Sequence, residues 1–112
     1  MGTLTYAGTS IDFPDRLLAH LQVVIVNKLR RREGFAMTWQ DPEGAGEGRS
    51  AIWLDASIPL FFKFEGARPA TISRHWLTTL ADTANATTGL LVVEEASVPD
   101  SEVRVAKVSE YT

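Results

Sequence analysis

Residues 15–33, DRLLAHLQVVIVNKLRRRE, carry the clearest periodicity of the chain. Apolar side chains recur there at spacings of three and four residues, which predicts an amphipathic helix with one face in a core. The apolar set is Leu17, Leu18, Leu21, Val24, Ile25 and Leu29. The opposite face, predicted to be wet, carries Arg16, His20, Asn27 and Arg31. We expect the remaining elements, several strands and one shorter helix, to pack on this helix.

Both ends of this helix have recognisable signals. Asp12 is the candidate N-cap, with Asp15 three residues later, and Pro14 is tolerated in a first turn whose amide has no helical partner. Gly34 is the candidate stop. The last turns carry four cations that complement the negative end of the helix dipole, namely Lys28, Arg30, Arg31 and Arg32.

Composition narrows the class of protein. A chain of 112 residues suits one domain. It has no cysteine, which excludes thiolate catalysis, cysteine metal sites and disulfides, and which fits a reducing compartment.

The start MGTLTYAGT lacks the regions of a signal peptide, and the longest apolar run, VVIV, is too short to cross a bilayer. We therefore expect a cytoplasmic protein without a membrane partner. The net charge of −3 provides no global attraction for nucleic acid.

Strand-like alternation flanks the helix on both sides. Residues 3–6 and 9–13 predict a hairpin before it. After it, a three-stranded meander is predicted at residues 35–40, 49–55 and 60–65, with a break at Ser57-Ile58-Pro59. The glycine-rich residues 41–48, DPEGAGEG, are predicted to be a mobile hairpin tip.

A second helix and a last strand complete the predicted domain. Thr71 or Ser73 can cap a helix that runs to Thr87 and is ended by Gly89, and the run LLVVE at residues 90–94 suits a buried strand. The order β-β-α-β-β-β-α-β predicts one α+β domain over residues 1–95, a largely antiparallel sheet with both helices on one face. The polar residues 96–112 are predicted to be a tail or an added edge strand.

Six short segments resemble a family of small actinobacterial proteins of unknown function, over about residues 1–95. They are LAHLQVVIVNKLRR, F-x-x-x-W from Phe35, IWLDASIPLFFKF, G-A-R-P from Gly66, R-H-W from Arg74, and A-N-x-x-x-G-L-x-V-V from Ala84. Asp55 stands where the family usually has His, and members often carry the label of ATP-dependent DNA ligase. That activity needs a Lys-x-Asp-Gly nucleophile, which none of Lys28, Lys63 and Lys107 provides, and a longer chain, so we reject it.

The first candidate site is an anion cradle at the start of the second helix, made by Arg68, Ser73, Arg74 and His75. A helix N-terminus presents unpaired amides and partial positive charge, and two guanidiniums complete such a site for phosphate or carboxylate. The simpler interpretation is structural, because arginines commonly stack on tryptophans or pair with surface carboxylates.

The second candidate is the basic helix end, Lys28, Arg30, Arg31 and Arg32, as a patch for nucleic-acid phosphates. Helix C-termini favour cations for stability alone, and Glu33 with the acidic remainder weakens the field. Exposed tryptophans beside the patch would favour single-strand binding by offering stacking platforms.

No catalytic pattern emerges. The two histidines, His20 and His75, lack a second ligand at helical spacing, and His20 is predicted to be a surface or interface residue. No nucleophile elbow, Walker loop or dinucleotide fingerprint is present, so we expect neither enzyme activity nor a cofactor or metal.

Four consecutive β-branched residues, VVIV at positions 23–26, cover nearly every side of one helical turn. A second layer of this chain or another copy must therefore cover part of that surface. The candidate interface residues are Val23, Val24, Val26, Trp39 and Trp53, although a well-filled core explains them almost as well. We interpret the chain as a non-catalytic binding module that self-associates, with another protein or nucleic acid as the alternative partner.

Overall fold

The computed structural model describes residues 1–41 and 48–97, which contain two helices and six strands in the predicted order. The elements are β1 Gly2–Tyr6, β2 Thr9–Phe13, α1 Asp15–Arg30, β3 Phe35–Gln40, β4 Arg49–Leu54, β5 Leu60–Lys63, α2 Arg74–Ala84 and β6 Leu90–Leu91, with a final 3-10 turn at Glu95–Ser97. The mixed α+β class is confirmed. The predicted hairpin tip lies mostly outside the described residues, as does the tail beyond residue 97.

The strands form two sheets instead of the single predicted sheet. Sheet A has the order β2-β1-β5 and sheet B the order β4-β3-β6. The predicted meander is therefore wrong at β5, which pairs antiparallel with β1 and not with β4. The chain leaves sheet B at Asp55, whose amide donates to the hydroxyl of Tyr6 on β1 at 2.8 Å. This hydrogen bond directs the chain across to sheet A.

Sheet B mixes two kinds of pairing. Strands β3 and β4 form the predicted antiparallel hairpin, with Met37 opposite Ile52. Strand β6 runs parallel to β3 and has only two residues, shorter than the strand predicted over residues 90–94. One further bond, from the Val92 amide to the Thr38 carbonyl at 2.9 Å, continues that contact. The polypeptide then leaves the sheet towards the 3-10 turn.

Helix α1 starts and stops differently from the prediction. Pro14 is the N-cap residue and no side chain caps the helix. Asp12, the predicted cap, instead accepts a hydrogen bond from the Thr3 hydroxyl across the β1-β2 hairpin at 2.8 Å. The helix ends at Arg30, three residues before the predicted Glu33, and Arg32 takes the left-handed conformation with φ of 58°. The chain therefore turns before the glycine that was expected to stop it.

Helix α2 begins as predicted, with the Ser73 hydroxyl accepting a hydrogen bond from the Trp76 amide at 3.3 Å. It ends at Ala84, three residues before the predicted Thr87. Gly89, with φ of 83°, then turns the chain into β6. The indole of Trp76 donates to the Val93 carbonyl at 2.9 Å, which holds the segment after β6 against α2.

One core lies between the helices and the inner faces of both sheets. Its fully buried side chains are Leu4, Leu18, Leu21, Ile25, Met37, Leu54, Leu80, Leu90 and His20. The prediction that His20 lies on the wet face is wrong. The start of α2 covers that side of α1, and the imidazole of His20 lies against the indole of Trp76, with ring centroids 4.4 Å apart. A helical wheel of α1 shows only the side chains of α1, so it cannot show that α2 buries His20.

Candidate functional site

The outer face of sheet A is polar. The Thr3 hydroxyl binds Asp12, and the Thr5 hydroxyl lies 3.1 Å from that of Ser10. Phe61, a large apolar side chain, also lies on this face and is 61% exposed. Its direct neighbour on β1 is Thr5. Phe61 therefore stands among hydroxyl and charged groups.

The outer face of sheet B has a different composition, with no charge at its centre. The strand registers place seven side chains on it, of which Arg49, opposite Gln40 at one end of the β3-β4 pair, is charged. The other five are uncharged, namely Ala36, Thr38, Ala51, Trp53 and Leu91. Trp53 is 62% exposed, and Leu91 on β6 is also exposed. A Cβ atom added to Gly34 would lie 2.9 Å from Cζ2 of Trp53, so one side of the indole lies directly on the Gly34 backbone. The rest of the ring is open to solvent.

The predicted interface residues divide into two groups. Val24 is buried, while Val23 and Trp39 are half-buried, and Trp39 packs edge-on against Phe13 with centroids 6.2 Å apart. These three side chains therefore belong mainly to the packing of this chain. Val26 and Trp53 are exposed. Within the predicted set, these two residues can contact a partner.

The basic end of α1 is partly neutralised. The ammonium of Lys28 lies 2.9 Å from the carboxylate of Glu33 and 3.1 Å from the amide oxygen of Asn85 on the other helix. Arg31 approaches the same carboxylate at 3.7 Å, and the pKa of Glu33 is lowered first by its hydrogen bond to Lys28 and then by Arg31. Arg30 and Arg32 are exposed. The structure thus leaves two of the four cations without an ionic partner among the described residues.

The residues of the predicted anion cradle do not converge on one site. The Ser73 hydroxyl is occupied as the α2 cap, and its amide donates to Nε2 of His20 at 2.8 Å. Arg74 is exposed on the first turn of α2, and His75 is half-buried. Arg68 lies on the preceding segment and lines a separate groove. The structural interpretation had Arg68 and Arg74 stack on a tryptophan or pair with a surface carboxylate. A residue of α1 makes these contacts instead.

That residue is Arg16, which the sequence did not single out. Its guanidinium donates to the carboxylate of Glu95 at 2.9 and 3.0 Å, and also to the Thr71 carbonyl. Its Cζ lies 6.0 Å from the ring centroid of Trp76. The hydrogen bond to Arg16 lowers the pKa of Glu95. No local pattern links residues 79 positions apart, so only the tertiary structure reveals this cluster.

A groove of about 370 Å³ lies between α1 and residues 64–72, and we call it the α1 groove. Most of its lining is apolar, with three polar or charged side chains, Asp15, Gln22 and Arg68. The lining side chains are Asp15, Ala19, Gln22, Val23, Phe64, Ala67, Arg68, Pro69, Ala70 and Ile72. Its volume lies within the range of small-molecule sites, roughly 300–1,000 Å³.

Asp15→Asn should lower the melting temperature at neutral pH, because the Asp15 carboxylate accepts hydrogen bonds from the amides of Gly66 at 2.8 Å and Glu65 at 3.2 Å. These bonds, that of Gly66 first, lower the pKa of Asp15 below its ordinary value of 3.8. Its stabilisation is therefore complete above that value and is lost as the pH falls through the lower pKa of the folded state.

Thermal melts of both proteins from neutral pH down to about pH 2 test this prediction. The difference in melting temperature should be largest at neutral pH and should shrink below about pH 4. Asp12→Asn, which alters a carboxylate on the exposed hairpin, is the matched control and should change the melting temperature less. A difference for Asp15→Asn that stays constant with pH would contradict the ionic origin of the effect.

The described residues define a small α+β domain with two three-stranded sheets and two helices around one core. Within residues 1–41 and 48–97, no group of three or more His, Asp or Glu side chains is placed to hold a metal ion. In the same part of the chain, neither helix has the length and apolar character of a membrane span.

The family model for a domain of unknown function, DUF7882, matches residues 1–95, and the chain belongs to this family. This finding agrees with the resemblance to an uncharacterised family over the same residues. No curated protein and no solved structure matches the chain.

Proposed function

We propose that this protein is a non-catalytic, cytoplasmic binding module that self-associates through the outer face of sheet B. The observation that carries the proposal is the exposed indole of Trp53, held on the Gly34 backbone on a sheet face whose centre is uncharged. Tryptophan is enriched at the centres of protein interfaces because it contributes a large contact area. An exposed tryptophan on a face with an uncharged centre therefore supports an interaction role.

The charge distribution favours a second copy as the occupant of this face. In a two-fold dimer the same patch meets itself, so any charge at its centre would meet a like charge. The centre of this face carries none, because Ala36 and Thr38 on the central strand β3 and Ala51 beside them on β4 are uncharged, while Arg49 lies at the far end of β4.

The size of the face sets the expected strength of the dimer. Three short strands cover under about 300 Å² at the usual strand spacing and rise. A stable complex buries about 800 Å² on each partner. We therefore expect a reversible dimer with a dissociation constant in the range of about 10 µM or weaker.

Trp53→Glu should abolish this dimer, because it replaces the exposed indole with a charge that the interface would have to remove from water. Sedimentation velocity over a wide range of protein concentration, up to about 1 mM, measures the effect. The wild-type protein should show a concentration-dependent shift towards the dimer, while the variant should sediment as a monomer. Circular dichroism should show unchanged secondary structure, since the indole is exposed.

Phe61→Glu is the matched control, because Phe61 is exposed to the same degree as Trp53 but lies on the polar face of sheet A. It should leave the dimer unchanged. A wild-type protein that stays monomeric throughout, or equal loss of the dimer in both variants, would refute the proposed interface.

Nucleic-acid binding through the end of α1 is the alternative function, and we favour it less. Glu33 pairs with Lys28 and with Arg31, which leaves Arg30 and Arg32 as the unpaired cations of that patch within the described residues. Salt-sensitive DNA binding that is lost in the double variant Arg30→Glu, Arg32→Glu would support this alternative.

A further inference from the structure

We propose that the α1 groove binds a small amphipathic carboxylate, with its apolar part along α1 and its carboxylate paired with Arg68. The site is separate from the sheet B face.

The groove is formed by a segment that is attached to α1 at both ends. At its start, the amides of Glu65 and Gly66 donate to the Asp15 carboxylate. At its end, the Thr71 carbonyl accepts from Arg16 and the Ser73 amide donates to His20. Between these attachments, residues 67–70 line an open space over α1. The groove is therefore held open by the fold itself, as expected for a largely preformed binding site.

The walls of the groove suit an apolar chain or ring. Ala19 and Val23 form the α1 side, at a spacing of four residues that places them on one face of the helix. Phe64, Pro69 and Ile72 contribute the apolar surface opposite, and Ile72 is 40% exposed. A bound apolar group would cover these side chains and remove them from water, which is favourable in proportion to the area covered.

The unused hydrogen-bond donors of the groove favour an anion. Two charged groups line the groove, and the Asp15 carboxylate is already satisfied by two backbone amides. The guanidinium of Arg68 is exposed and pairs with no carboxylate among the described residues. Its planar donors match a carboxylate in a bidentate geometry. The amide of Gln22, also at the groove, supplies a further hydrogen-bonding group.

Octanoate is the probe for this proposal, since it joins one carboxylate to an unbranched apolar chain. Isothermal titration calorimetry of the wild-type protein should show saturable binding of octanoate. Acetate lacks the chain and octylammonium reverses the charge, so neither should bind detectably. If octanoate fails to bind, or if octylammonium binds equally well, the proposal is overturned.

Two arginine variants locate the bound carboxylate. Arg68→Gln should weaken octanoate binding by about tenfold or more, because the charged partner is lost. Arg74→Gln is the matched control, an exposed arginine at the start of α2 that does not line the groove, and it should bind octanoate as the wild type does. Equal weakening by both variants would place the anion at the α2 N-terminus and overturn the groove assignment.

Discussion

His20→Ala should lower the free energy of unfolding by about 4 kcal/mol, the largest effect that we expect from a single substitution. The imidazole is fully buried and connects the two helices. The Ser73 amide donates to its Nε2, so this nitrogen carries no proton in the folded state. The neutral ring then carries its proton on Nδ1, which lies 2.7 Å from the Arg16 carbonyl and donates to it.

Two physical terms make up this loss. Removing the ring leaves a cavity beside Trp76, and large-to-small core substitutions cost about 2–5 kcal/mol. It also leaves the Ser73 amide at the start of α2 without its acceptor, and an unsatisfied buried donor costs about 1–3 kcal/mol. Relaxation of the surrounding side chains reduces the sum, which gives the expected value of about 4 kcal/mol.

Urea denaturation followed by circular dichroism measures the effect of His20→Ala. His20→Leu separates the two terms, because leucine fills most of the volume but accepts no hydrogen bond, and it should cost about 2 kcal/mol. His75→Ala, at the half-buried histidine of α2, should cost under about 1 kcal/mol. If His20→Ala proves no worse than His75→Ala, the imidazole does not connect the helices as described.

Gly89→Ala should cost about 3 kcal/mol of unfolding free energy, for two reasons that coincide at one position. Gly89 has φ of 83°, a conformation that L-residues with a Cβ adopt at a cost of about 1–2 kcal/mol. A Cβ at this position would also lie 2.5 Å from the Ala36 carbonyl oxygen on β3. The backbone cannot give way without separating β6 from β3, so the pairing of Leu90 with Met37 should weaken.

Gly8→Ala provides a control with nearly the same backbone conformation. Gly8 has φ of 85°, but a Cβ there would meet nothing within 4 Å. Gly8→Ala should therefore lower the free energy of unfolding by about 1 kcal/mol, which is the cost of the backbone conformation alone. The difference between the two variants, measured by urea denaturation, isolates the contact with β3. Equal effects would show that this contact is not required for stability.

Much of the secondary structure could be predicted from the sequence because its signals are local. The alternation of Phe35, Met37 and Trp39 marked β3, and Ser73 marked the start of α2, where it caps the helix. The stop of α1 was missed because Arg32, a residue rarely left-handed, makes the turn before Gly34. Intrinsic preference favours glycine at such positions but does not require it.

The candidate sites were predicted less well, because each depends on contacts between distant residues. The sequence showed Glu33 beside the basic patch, but not that Lys28 also reaches Asn85, which is 57 residues away. Arg68 and Arg74 were grouped by their closeness in sequence, whereas Arg68 alone lines the α1 groove. On the outer face of sheet B, the sequence indicated only Trp53. The other residues of that face can be assigned only from the registers of three strands.

The sequence by itself determined the class of the domain, the order of its elements and the inner face of most strands, because these follow from periodicities within a few residues. Only the tertiary structure decided that β5 joins β1, that α2 covers His20, and that residues 64–72 are held over α1 as a groove. The physical reason is that alternation shows which side of an element is apolar, but not which other element covers it. That choice depends on hydrogen bonds and packing between parts of the chain that are far apart in sequence, such as the bond from Asp55 to Tyr6.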